Sequence, residues 1–145
     1  MKTFSKLLFI SLLIVFVTNC KKKDTGPDLT TNLVGIYTGT IQFTSPSFDT
    51  TAQNQQLQIT KVSDTEIQIQ PYNNGGGSTF TANLSQSGSN TILTIPVENI
   101  SGGGNIQGVA GDTSKYTTSS KQLYYSIQES SGGATGVEKF TGIKQ

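Results

Sequence analysis

The sequence predicts an all-β domain: an antiparallel up-and-down barrel of about eight strands, with an open β-sandwich as the alternative. Three observations carry that expectation. Beyond residue 30, apolar residues recur at every second position, the period at which a strand returns side chains to one face. Clusters of Gly, Ser, Asn and Asp punctuate these stretches, as hairpin turns require. No window after residue 30 repeats its apolar residues at helical spacing.

The elements follow in order. Tyr37, Gly39, Ile41 and Phe43 share one strand face, with Thr38, Thr40 and Gln42 on the other. Residues 45–53 lack the pattern and read as a candidate long loop. Leu57 and Ile59 alternate with Gln56, Gln58 and Thr60, and Val62–Glu66 supplies a hairpin connection into Ile67 and Ile69. Pro71 has no N–H to donate, so it ends that strand or places it at an edge. Asn73–Gly77 is a flexible turn. Phe80, Ala82 and Leu84 form the next inward face, and Ser87–Asn90 turns the chain back. Leu93, Ile95 and Val97 continue the pattern around Pro96. Ser101–Asn105 leads into a weak strand at Ile106–Val109, and residues 110–118 read as a second candidate loop. Leu123, Tyr125 and Ile127, a turn at Ser130–Gly133 and a closing strand at Val137–Ile143 complete the domain.

The N-terminus has a different character. Lys2 and Lys6 precede the apolar run Leu7–Val17, which is far shorter than the ~20 residues a membrane-spanning helix needs. Positive flank and short run are those of a secretory signal. The run ends at Val17-Thr18-Asn19-Cys20, which resembles the lipobox of bacterial lipoproteins. An aliphatic residue stands three positions before the cysteine, and Asn19 occupies the site that usually holds Gly, Ala or Ser. The resemblance implies cleavage before Cys20 and lipidation of its sulfur. It implies an exported chain, lipid-anchored to the cell envelope at the outer membrane, with its periplasmic or surface face left open. Several acyl chains, at about 0.8 kcal/mol per buried CH₂, hold a protein firmly. The expected organisation is a signal peptide over 1–19, a lipidated cysteine and flexible linker over 20–31, and one β domain over 32–145.

Composition narrows the chemistry. The net charge is +1, with no His and no Trp, and the chain contains no Arg. Loss of residues 1–19 removes Lys2 and Lys6, after which acids slightly outnumber lysines. Nucleic acid demands clustered cations, so it is not an expected partner. General acid–base catalysis most often relies on His, and a Ser-His-Asp or Cys-His arrangement needs it outright. Cys20 is the only cysteine, so neither an internal disulfide nor an ordinary His/Cys zinc site can form. The sequence therefore names no catalytic residue, no cofactor and no metal, and the expectation is a noncatalytic protein.

Carboxylates remain. Asp64 and Glu66 would share a strand face, whereas Glu98, Asp112, Glu129 and Glu138 are isolated in sequence and read as solvent-facing charges. Asp49-Thr50-Thr51 resembles a short O-glycosylation acceptor of Bacteroidetes. The tyrosines at 37, 72, 116, 124 and 125 either line a pocket or fill the core, and alternation favours the core for Tyr37 and Tyr125, with Tyr124 facing out.

Gly35-Ile36-Tyr37-Thr38-Gly39-Thr40 and the ending Phe140-Thr141-Gly142-Ile143-Lys144 resemble the small lipocalin-like, or calycin-like, lipoproteins of Bacteroidetes. In lipocalins a Gly-x-Trp motif plugs the barrel base beneath a basic residue of the last strand; Gly35, Tyr37 and Lys144 match those positions, with Tyr for Trp. The resemblance implies a barrel that binds a small apolar ligand or a partner protein. Tyr37, Ile41, Phe43, Phe80, Leu84 and Tyr125 are the candidate pocket or core residues. A structural or interaction module with a fully packed interior is the alternative.

Overall fold

The computed structural model describes residues 26–71, 78–100 and 103–145. Cys20, Tyr72 and the turn expected at Asn73–Gly77 lie outside these residues. Ten strand segments follow one another: β1 (Gly35–Thr44), β2 (Asp49–Ser63), β3 (Glu66–Pro71), β4 (Phe80–Ser87), β5 (Asn90–Thr94), β6 (Glu98–Ile100), β7 (Gly104–Gly108), β8 (Lys115–Thr117), β9 (Gln122–Ser131) and β10 (Ala134–Lys144).

All pairings are antiparallel. The order β10-β1-β2-β3-β4-β5-β8-β9 returns to β10 through the β9–β10 ladder, so eight strands close into a ring rather than an open sandwich. The remaining two segments complete its wall. β5 and β6 are one chain path broken at Ile95–Val97, and β7 and β8 are another, broken at 109–114. β5 pairs with β8, and β6 with β7. At the paired breaks Gly108 N donates to Ile95 O (3.1 Å) and Leu93 N to Ser114 O (2.9 Å). Every strand path thus lies beside the next one in sequence, which is an up-and-down meander.

Alternation decides what enters the ring. Leu57, Ile59, Ile67, Ile69, Phe80, Ala82, Leu84, Leu93, Ile95, Leu123, Tyr125 and Ile127 are all buried. Tyr125 is the hub, edge-on to Phe80 at 5.4 Å and stacked on Phe140 at 5.5 Å. Gly39 lies opposite Gly142 where β1 and β10 cross closely. A Cβ on Gly39 would sit 2.1 Å from Thr141 O, so only glycine allows this closure of the ring.

Several local expectations change. Residues 49–53 belong to β2, not to a loop: their side chains are exposed, and it is the ladder to β1 that holds them extended. Val97 is 65% exposed because the break around Pro96 shifts the phase, so that Glu98 and Ile100 point inward in its place. Asp64 sits in the β2–β3 turn and pairs with Lys61 at 2.7 Å, off the face that holds Glu66. The packed structure begins at Leu29 rather than after Thr31. Leu29 packs against the core and Thr30 is fully buried.

Candidate functional site

The two ends of the ring differ. At the base, the turn before β1 inserts Leu33, which is fully buried. Tyr37 Oη donates to Leu33 O at 2.7 Å, and its ring meets Tyr116 edge-on at 6.3 Å. Lys144 lies opposite Tyr37 on the β1–β10 ladder, passes over Gly35 and donates from Nζ to Asn32 O at 2.9 Å. Burial pushes the Tyr37 hydroxyl far up, so it stays a neutral donor. This end is sealed.

The opposite end opens into a cavity of about 590 Å³, within the ~300–1,000 Å³ typical of small-molecule sites. Its walls come from the end of β1, the Ser45–Phe48 turn, Ile100 on β6, the end of β9 and the start of β10. Ser45 shapes the turn: its N–H donates to Phe48 O (2.8 Å), and its Oγ accepts from the N–H groups of Ser47 and Phe48 (both 3.3 Å). That places Phe48 against Phe43, stacked with centroids 5.3 Å apart. Gly136 makes room for this pair, since a Cβ there would lie 2.3 Å from the Phe43 ring.

Two carboxyl groups of the β9–β10 hairpin share the inward face at this end. Glu129 lines the cavity and lies opposite Gly136 on the β9–β10 ladder. Glu138, one inward step beyond Gly136, lies opposite Ile127 on that ladder and opposite Phe43 on the other. Such diagonal neighbours are about 7–8 Å apart along a ladder, near enough to interact. Tyr125 Oη, from below, donates to Glu138 Oε1 at 2.7 Å. Burial raises Glu138 above the usual carboxylate range; the tyrosine bond offsets part of this, and the Glu129 charge adds to it. Burial likewise raises Glu129. Among the described residues the Glu129 carboxylate takes part in no hydrogen bond and no ion pair, and the lysine–acid pairs are Lys61 with Asp28 and Asp64, and Lys139 with Asp112.

The other acids have structural work. Glu98 Oε1 accepts from Thr81 N (2.8 Å) and Thr81 Oγ1 (2.5 Å), filling in for ladder bonds where β4 has no partner on that side. Asp112 accepts from Tyr124 Oη at 2.6 Å on the outer wall, beside a polar groove at Thr40, Gln42 and Lys139. No group of three or more His, Cys, Asp and Glu converges among the described residues to hold a metal ion.

The sequence-derived candidates divide between core and mouth. Tyr37, Phe80 and Tyr125 are fully or almost fully buried, Leu84 is buried, and Ile41 packs against the core from a partly buried position. Phe43 alone of the six lines the cavity. Its neighbours Glu129 and Glu138 are inward-facing, not the solvent-facing charges expected. The signal was present: Glu129 follows Ile127 by two residues and Glu138 precedes Phe140 by two, so both continue a core-facing phase. No protein-family model, curated protein or solved structure matches the chain.

Proposed function

We propose that the chain is a membrane-anchored envelope lipoprotein, noncatalytic, which binds a small apolar ligand in the mouth of its β-barrel. The observation that carries the binding reading is the cavity of about 590 Å³ between Phe43, Phe48, Ile100 and the β9–β10 hairpin. Its lining is mostly apolar, with few polar groups to orient a guest, the usual make-up of a small-molecule site. The anchor rests on the signal-like residues 1–19 and on Cys20 in its lipobox-like setting. The lipocalin-like resemblance of Gly35, Tyr37 and Lys144 is in keeping with their meeting at the base.

The test of binding is native mass spectrometry of the full chain, extracted from its own membrane in detergent. A reproducible co-purifying mass is expected, and it is lost in Ser131→Trp, which fills the mouth. If no such mass accompanies the wild type, the alternative of a packed interaction module takes over, a reading that the filled interior below Tyr125 favours. For the anchor, Cys20→Ser is expected to leave the protein unacylated and released from membranes. Membrane fractionation unchanged by that substitution overturns the lipoprotein reading.

A further inference from the structure

We infer that the ligand of this mouth is an organic cation, a protonated amine carried on an apolar body. The inference rests on the small-ligand reading above and names the chemistry of the guest. Glu129 is the one charged side chain lining the cavity among the described residues, with Glu138 just inward of it. Among the described residues no lysine lines the cavity, and the chain has no arginine, so Glu129 faces the opening without a counter-charge. Glu138 is engaged from below by the Tyr125 hydroxyl. Among the described residues Glu129 has no such partner.

The aromatic wall supplies the second half. Phe43 lies directly across the ladder from Glu138, and its ring covers Gly136, which itself faces Glu129. Phe48 stacks on Phe43 yet keeps 54% of its surface exposed. Aromatic faces attract cations through their quadrupole and cover apolar groups equally well. A carboxylate beside two phenyl rings therefore suits an ammonium with a hydrocarbon body. An anionic amphiphile such as a fatty acid would bring like charge to Glu129. Among the described residues no group of three or more His, Cys, Asp and Glu converges to hold a metal cation instead.

Isothermal titration of the detergent-solubilised full chain with three probes of one shape tests this: 4-phenylbutylamine, 4-phenylbutanol and 4-phenylbutyrate at pH 7. The amine is expected to bind about tenfold more tightly than the alcohol, because only the ammonium brings a positive charge to Glu129, with the carboxylate weakest. Glu129→Gln is expected to cancel the amine's advantage over the alcohol, while the alcohol still binds within a few-fold of its wild-type affinity, and an unchanged melting profile shows that the variant is folded. Equal affinity of amine and alcohol, or an amine preference that survives Glu129→Gln, overturns the cationic guest and leaves the cavity reading intact. Displacement of the amine by millimolar calcium chloride but not by magnesium chloride overturns it in favour of a metal site. If none of the probes binds, the inference fails. Co-purified mass then decides separately whether the mouth binds anything.

Discussion

The base and the mouth of the barrel lie at opposite ends of the same two strands, β1 and β10, and come out opposite. At the base the Tyr37 hydroxyl meets Leu33 O and the Lys144 ammonium meets Asn32 O. Leu33 beside them is fully buried in the core. At the mouth the inward positions hold Gly136, Ser131 and two carboxyls, side chains that either leave space or carry charge. The lesson concerns residue choice on a fixed frame. Strand pairing sets which positions face in, and side-chain size and polarity decide whether an end becomes a plug or a pocket.

The comparison breaks most sharply at Leu33. Truncation to Ala removes a fully buried side chain and leaves a void, so Leu33→Ala is expected to cost about 2–5 kcal/mol in chemical denaturation. A loss below 1 kcal/mol, on the order of a surface change, would show that the base is not a plug. Glu138→Gln asks the converse question of the mouth and should raise stability at neutral pH. Its carboxyl is raised above the ordinary value of 4.5 in the folded state. The stability linked to it is fully present below that ordinary value and is lost as pH rises through the raised one. Gln does not titrate and still accepts from Tyr125, so its advantage should vanish at pH below 4 and appear by pH 7. Equal melting temperatures of the two proteins across that range would show that burying this carboxyl costs the fold nothing.

The base has a clamp of opposite sign. Asp28 is held well below its ordinary value of 3.8, first by Lys61 and then by two hydrogen bonds from Thr30. Its contribution is present above that value and lost on stronger acidification, so acid loosens the base while it relaxes the mouth. The pair is exposed, which keeps the effect small. Smallest of all is Phe48→Ala. Half-exposed at the rim, it should change stability by no more than about 0.5 kcal/mol, yet weaken binding of any apolar guest in the same titration.

Much of the frame was legible in the residues, because a half-buried strand writes its burial into every second position. Leu57 and Ile59, Phe80 through Leu84, and Leu123 through Ile127 all face in as alternation requires. The failures have physical causes. β2 begins in a polar stretch, Asp49–Gln56, where backbone pairing rather than burial keeps the chain extended. Val97 lost its place because a strand that breaks can restart in the other phase, and no local pattern records the slip. The acidic pair is a matter of register. Glu129 and Glu138 meet only when the hairpin turns at Gly132 and Gly133, both with positive φ, and a turn placed elsewhere would send one of them outward.

Under the anchor proposed at Cys20, the plug has a consequence for how this domain is set free. Residues Leu29–Leu33 are at once the last stretch of the path from Cys20 and the stopper of the core. A protease that cuts at or before Gly26-Pro27 would shed an intact barrel. One that cuts between Thr30 and Leu33 would pull the stopper as it severs the segment leading back to Cys20. Release and survival of the fold are thereby separated by only a few peptide bonds.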